Sequence, residues 1–568
     1  MMPSIDQSGW RRRWGWAVLA LLLGLGRGFA PAASAARPAA SAAGCGPLTV
    51  TTGVSLNGFV NDEYQWSDSA CRPRSATLAT NDTTKGGNAK QFTYQLADTS
   101  TRVINPGADG AGGFGYVVAH LSNPSFANAY GADDSPLGSG DSATSSVVFA
   151  GAHHALHQYT LNYVRYGLTA AALANHSIDP WTTITGPNDP NRQYVTAYPM
   201  PVTIQWLFAT GRNYPVWTVT FDLSAAPDHA VDSDFRAPYG DMAIEGGDGS
   251  DLVAGVAWGD HYQFATLGSP FTMDNDWDYS ELNPGAPYDL LYTVNADAEM
   301  GLAGTQLAAL QTAGGYNNYQ APVWRGHTSG NMGQLCLNDQ GAGPAYNHKL
   351  PCTSDWAYQL IQYSVASATE TTSNKRLAWG ADWGSLGNSS FVSSNGVTVS
   401  GYPEVSYSVS IVTDPHSGNP TQAIALQAET ASLTTLTASV GSVRTQGPAG
   451  VGRADTQTYS PAGYNPVYGT WEVGAAQNQA SLTFNVSGAA PAALAQPMVV
   501  VHGYLGAAAQ AGVTLDGAPL TADSDYFAST RPAAEELWLT LNRSLAGTHT
   551  LQIAGPAGNA VFLPLVSR

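Results

Sequence analysis

Apolar and polar residues alternate over long stretches of this chain. In "TIQWLFATGRNYPVWTVTFDLS" (203–224), Trp217, Val219 and Phe221 alternate with Thr218, Thr220 and Asp222, the period of two of a half-buried strand. Gly211-Arg212-Asn213 interrupts the stretch with turn residues, which predicts two strands joined there. "SVVFAG" (146–151), "HQYTLNYVRYGL" (157–168), "LVAGVAW" (252–258) and "VSYSVSIVT" (405–413) read the same way. Helical patterning is scarce, and "LAGTQLAALQTA" (302–313) and "SDWAYQLIQYSV" (354–365) are the best helix candidates. Regular βαβ alternation is missing, which disfavours a doubly wound sheet or an α/β barrel. The expected fold is all-β and mostly antiparallel, a large β-sandwich-type domain with long loops.

A second, smaller β-sandwich is expected at the C-terminus. Composition shifts near "VTDPHSGNPTQAIALQAET" (412–430), from a part dense in Trp, Tyr, Asp and His to one rich in Ala, Thr, Val and Gly. The 568 residues exceed one ordinary domain. A β-rich, catalytic candidate domain over 45–424 and an accessory sandwich over 425–568 follow. In the latter, "SLTFNVSG", "PMVVVHGYLG", "GVTLDGAPL" and "ELWLTLNRSLAGTHTLQIAG" all read as strands, and candidate catalytic groups are few. No repeat of propeller or solenoid length is visible.

The N-terminus reads as a signal peptide over residues 1–36. Arg11, Arg12 and Arg13 precede the apolar "WAVLALLLGLG" (16–26), and Ala33-Ser34-Ala35 offers a cleavage site. The apolar run is too short to span a bilayer, and nothing later reaches ~20 apolar residues. A secreted protein, extracellular or periplasmic, is expected. Four cysteines in an exported chain most simply make two disulfides, with Cys45–Cys71 and Cys336–Cys352 chosen as the local pairing.

Charge narrows the partners. The chain carries 23 Lys and Arg against 42 Asp and Glu; without residues 1–43 these become 18 and 41, a net of −23. Nucleic acid and an anionic membrane surface are disfavoured, since both need clustered Lys and Arg. Low charge density with abundant Gly, Tyr, Trp, Asn, Ser and Thr suits a β-protein that binds a polysaccharide or oligosaccharide. Oligomeric state is not readable.

Carboxylates concentrate between residues 232 and 299. Glycosidase chemistry needs one protonated and one ionised carboxyl group, and Asp241, Glu245, Asp260 and Glu299 are the candidates. Asp241 follows the turn-like "APYG", Asp260 ends an apolar strand beside His261, and Glu299 sits near a candidate helix N-terminus. Arg236 and His261 are neighbouring candidates for substrate contact. Each acid taken alone reads as a loop or capping residue; the catalytic expectation attaches to a pair among them.

"FTMDNDWDYSEL" (271–282) is not an EF-hand loop. From Asp274, position six is Tyr279 and position twelve is Gly285, where Gly and Glu are required. Extended, Asp274, Asp276 and Asp278 would point one way, ~7 Å apart, and either stay solvated or hold a structural calcium. No cofactor is required. Trp277, Trp258 and Trp324 are candidate sugar platforms.

The stretch "GAHHALHQY" (151–159) offers His153 and His157 on one face, but no third metal ligand lies near, so structural or substrate-contacting histidines are expected. As a strand, 157–166 would project His157, Tyr159, Tyr163 and Arg165 from one face, with Leu161 between. Those groups suit substrate binding, or a lyase in which Arg neutralises a uronate while Tyr or His moves the proton. Serine-hydrolase and zinc-protease motifs are missing: neither G-x-S-x-G nor H-E-x-x-H occurs, so "VVVHGYLG" (499–506) has no nucleophile elbow to serve. The leading expectation is glycoside hydrolysis, followed by a polysaccharide lyase and a non-catalytic glycan-binding surface protein.

Overall fold

Strands form where the alternation places them. A computed structural model describes residues 44–83, 85–106, 112–119, 135–136, 143–168, 195–222, 235–245, 253–259, 264–266, 288–293, 299–304, 322–328, 331–334, 359–363, 375–378, 391–392, 398–399, 404–414, 433–448, 456–459, 461–488 and 493–555. Val195–Ala209 and Val216–Asp222 pair antiparallel, with Trp206 opposite Trp217 and Ile204 opposite Val219. Thr144–Ala150, His154–Leu168, Val253–Gly259 and Glu404–Asp414 are strands as the pattern predicts.

Two large sheets and one two-stranded pair, Phe391–Val392 with Thr398–Val399, make up the described residues of the larger part, which is all-β and mostly antiparallel. One has twelve strands and runs from Thr49–Leu56 through Pro73–Ala79 and Phe235–Glu245 to Asn331–Gln334; the other has nine and runs from Phe264–Thr266 through Glu404–Asp414 to Thr144–Ala150. Aromatic side chains of the nine-stranded sheet close the gap between them. Trp206 Nε1 donates to the Gly87 carbonyl (2.9 Å) and Trp217 Nε1 to that of Gly115 (2.8 Å), both on the twelve-stranded sheet side. Tyr64 stacks on Phe208 at 4.5 Å between ring centres. Each such large side chain, fully buried, stabilises the fold by roughly 1.5–3 kcal/mol.

A buried ion pair ties the same two sheets together. Arg74, from Pro73–Ala79, donates to the Asp414 carboxylate (2.9 Å) and to the Thr413 carbonyl (2.7 Å). Tyr214 Oη donates to the other Asp414 oxygen at 2.7 Å. Both Asp414 oxygens thus meet a donor, as a buried charge requires, while Arg74 Nε is left without a partner. The Cys45–Cys71 bridge is formed; Cys336 and Cys352 lie outside the described residues.

Both helix expectations fail where they are described. Leu302, Ala303 and Gly304 finish the strand Glu299–Gly304, and Gln359–Tyr363 pairs parallel with Pro322–Thr328. Short apolar runs carry too little periodicity to separate strand from helix, and a neighbouring strand with free backbone groups decides it. Glu299 therefore opens a strand, paired with Tyr292 on one side and Asp414 on the other.

The C-terminal part is a smaller sandwich. Its five-stranded sheet runs Leu433–Val440, Gln479–Ser487, Gly547–Ala554, Gly512–Leu515 and Ala518–Pro519. Its six-stranded sheet runs Ser442–Val443, Thr470–Gly474, Met498–His502, Glu536–Leu541 and Tyr526–Arg531, with Tyr464–Asn465 beside Thr470–Gly474. Alternation sends Trp471, Val473, Val499, Val501, Leu537 and Leu539 inward to a core with Leu482 and Phe484. Among the described residues, strands up to Asp414 pair with one another and strands from Leu433 pair with one another, yet Cys45–Arg568 forms one compact unit.

That unity resolves a mismatch in burial. The pattern of 216–222 predicts a strand with a wet face, but Thr218 and Thr220 are as buried as Trp217 and Val219. The C-terminal sandwich covers the outer face of the nine-stranded sheet. Leu156, Leu207 and Val216 pack there with Met498, Val500 and Trp538 in one apolar cluster. Thr218 Oγ1 and Ser408 Oγ both donate to the Val467 carbonyl, at 2.7 and 2.6 Å. The polar positions of the strand face a protein partner within the same chain.

Candidate functional site

The six-stranded sheet turns its polar alternates toward this junction, and their surroundings divide them into two groups. On strands Thr470–Gly474, Met498–His502, Tyr526–Arg531 and Glu536–Leu541, the residues that alternate with the core are Glu472, Val500 and His502, Phe527, Ser529 and Arg531, and Glu536, Trp538 and Thr540. Register places Glu472 opposite Val500, Val500 opposite Trp538, and His502 opposite Glu536.

Phe527, Ser529 and Thr540 meet the larger part in a closed seam. Ser529 Oγ accepts from the backbone N–H of His153 (2.8 Å) and of His154 (3.0 Å), and lies 3.0 Å from His154 Nδ1. His154 Nε2 is 2.8 Å from Thr540 Oγ1, so the ring is spanned by two hydroxyls. Burial, with a smaller contribution from His153, holds His154 down to about 3. His153 is also lowered by burial, against the opposing pull of Asp523, 2.9 Å from its Nε2. Gly211 sits at φ +87° in this seam, and a Cβ there would stand 2.6 Å from the Phe527 ring; both facts require glycine.

Glu472, His502, Arg531, Glu536 and Trp538 line a pocket of about 330 Å³, with Asn465 from the short strand Tyr464–Asn465 and Arg444 and Tyr468 from neighbouring loops. His502 lies between two carboxylates, its Nε2 2.8 Å from Glu472 and its Nδ1 3.5 Å from Glu536. Asn465 Nδ2 (2.5 Å) and Thr470 Oγ1 (3.1 Å) donate to the other Glu472 oxygen. Trp538 Nε1 donates to Glu536 at 2.9 Å, and Arg531 reaches the same oxygen at 3.4 Å. Tyr468 is enclosed, its hydroxyl donating to Gln205 Oε1 at 2.5 Å; burial first, then the Glu472 charge, pushes its ionisation well above the usual range. Volume and polar lining match a small-molecule site. The sequence does not mark out this face, because candidate catalytic groups are few after residue 425; the parity of "TWEVG", "MVVVH" and "ELWLT" is the available signal.

The residues singled out from sequence lie elsewhere. His157 and Tyr159 are in the core between the two large sheets, 1% and 4% exposed. His157 Nδ1 is 2.9 Å from Tyr64 Oη and its Nε2 is 3.1 Å from Ser145 Oγ, and burial lowers the ring to about 4. Burial, then the Asp82 charge, pushes Tyr159 up to about 12. For Tyr163, Arg165, Arg236, Asp241, Glu245, Trp258, Glu299 and Trp324 the backbone alone is described. Asp260, His261, Asp274, Asp276, Trp277 and Asp278 lie outside the described residues.

Register separates the backbones of the acids that are described. Asp241 and Glu245 are four positions apart on one strand, roughly 13 Å. Gly259, which precedes Asp260, stands opposite Tyr288 and so Ala303, whereas Glu299 is four positions further along and two strands away, roughly 13 Å along the strands and 10 Å across. Asp241 and Glu299 belong to different sheets, the twelve-stranded and the nine-stranded one. The acid paired with Glu299 across the sheet is Asp414, whose carboxylate is taken up by Arg74 and Tyr214. Among the described residues no group of three or more His, Cys, Asp or Glu side chains stands where it would hold a metal ion.

No protein-family model matches the chain, and no curated protein matches its sequence.

Proposed function

We propose that this is a secreted carbohydrate-active protein that holds one sugar unit in the pocket of its C-terminal sandwich and hydrolyses glycosidic bonds with carboxylates of residues 232–299. The observation that carries the reading is the pocket. It combines a monosaccharide-sized volume with Glu472, Glu536, His502, Asn465 and Arg531, held by one another on a rigid sheet face, and with Arg444 beside them. Fixed polar groups around a partly apolar wall are what orient a hydroxyl-rich ligand. The signal-like N-terminus and the Cys45–Cys71 bridge support export.

Hydrolysis requires two carboxyl groups ~5–9.5 Å apart across a sugar. The backbone separation of Asp241, Glu245, Glu299 and Gly259 favours a second reading, in which the protein binds glycan without cleaving it.

One experiment divides these readings. The full chain is incubated with a panel of polysaccharides, and new reducing ends, unsaturated products and bound protein are measured together. Reducing ends without unsaturation, lost in Asp241→Ala, Asp260→Ala or Glu299→Ala, are the expected result. Unsaturated products would instead mark β-elimination, and binding without turnover would leave the glycan-binding reading. Neither binding nor turnover on any glycan would overturn both.

A further inference from the structure

The donors and acceptors around the pocket do not balance. Both Glu472 oxygens are occupied, one by Asn465 and Thr470 and the other by His502. Both Glu536 oxygens are likewise engaged, by His502 on one side and by Trp538 and Arg531 on the other. A neutral sugar brings many hydroxyl donors, and they would find few carboxylate lone pairs left to receive them.

Donors, by contrast, remain. Among the described residues the Arg444 guanidinium has no hydrogen-bond or ion-pair partner, although Arg444 lines the pocket. Arg531 is one-third exposed, and only one of its N–H groups is engaged, in a 3.4 Å contact. The pocket's two carboxylates and two arginines cancel in formal charge, but they are not paired evenly: Arg531 reaches Glu536, both Glu472 oxygens are taken by Asn465, Thr470 and His502, and Arg444 is the cation without a partner among the described residues.

We infer that the ligand of this pocket is an anionic pyranose, a uronic acid unit whose carboxylate is gripped by Arg444. This rests on the carbohydrate reading above and specifies the sugar. A planar guanidinium matches a carboxylate through two parallel hydrogen bonds. Arg444 is half-buried and shares the pocket wall with Trp538 and Tyr468, so less water screens the pair. The overall acidity of the protein is compatible with this. Screening confines an exposed charge to about 8–10 Å, so the local arginines decide what binds.

The test is a titration of the full chain with glucuronate, methyl glucoside, a sulfated glucose and acetate, at low and high salt. Glucuronate is expected to bind at least about tenfold tighter than methyl glucoside, with the advantage shrinking as salt rises. Arg444→Met is expected to erase that advantage, weakening glucuronate binding far more than methyl glucoside binding. Arg444→Lys, which keeps the charge and loses the fork, should retain part of it. Melting curves identify any variant that fails to fold, and the salt series on the unmodified chain then decides alone. Equal binding of glucuronate and methyl glucoside, or an unchanged preference in folded Arg444→Met, overturns the inference and leaves the carbohydrate reading intact. Sulfated glucose binding tighter than glucuronate overturns the choice of carboxylate. Acetate binding as tightly as glucuronate overturns the sugar. No binding of either sugar overturns the carbohydrate reading itself.

Discussion

The seam and the pocket lie on the same face of the same sheet, and both are built around histidine, but they treat it in opposite ways. In the seam His154 is sealed between the hydroxyls of Ser529 and Thr540, and its burial favours the neutral ring. In the pocket His502 keeps about a fifth of its side chain exposed and faces a carboxylate from each nitrogen. Neutral hydroxyl partners suit a contact that closes once and stays dry. Charged partners at an opening suit one that must meet a ligand. What separates joint from site here is whether the larger part covers the alternates of the sheet, not the residue types it carries.

The strongest way to break the comparison is to loosen the junction without substituting a pocket residue. Phe149→Ala removes a ring that packs 5.9 Å from Trp538 in the cluster between the two parts. A loss of about 3–5 kcal/mol is expected from the vacated volume, measured by denaturant unfolding at neutral pH.

Acid should come next. His154 is held at about 3 and His157 at about 4, both mainly by burial and both below the usual histidine value of 6.5. The unfolded chain takes up protons that the folded chain refuses, so stability is complete above about pH 6.5 and falls as pH drops toward 4. Between pH 6.5 and 5 each ring should cost about 2 kcal/mol, seen as a falling melting temperature. His157→Gln should reduce that slope by about half; an unchanged slope would show that these rings are protonated without opening the structure.

Ser529→Ala sharpens the contrast at one atom. It leaves the N–H groups of His153 and His154 without their acceptor, a loss of about 1–3 kcal/mol, again read by unfolding. The smallest effect on stability belongs to His502→Ala. Its partners stay near solvent or keep other donors, so on the order of 1 kcal/mol is expected. Sugar binding, measured by titration, should be the property that falls. A variant that melts as early as Ser529→Ala would make His502 part of the joint.

Period-two alternation in 203–224 and 405–413 located the strands because sheet geometry leaves no other way to segregate apolar side chains. It also identified the C-terminal strands. It misjudged what covers the polar alternates, since Thr218 and Ser408 look solvent-facing until Val467 is brought against them. Sequence holds the period of a strand but not the identity of its neighbour. The helix expectations at 302–313 and 354–365 failed for the same reason, because pairing across the sheet overrode a short local pattern. The pocket escaped notice because Glu472, His502 and Glu536 are 30 or more residues apart and become adjacent only through register.

The Val467 carbonyl, held by both Thr218 and Ser408, carries a last consequence. A change of tone in composition invites a cut near residue 425, yet a fragment ending there would bare Leu207, Val216 and Trp217's hydroxyl-bearing neighbour on a broad, sticky wall. Two chains of that fragment would have every reason to adhere to each other. The apparent appendage is, in that sense, a permanent cover, keeping Leu207, Val216 and Thr218 out of water.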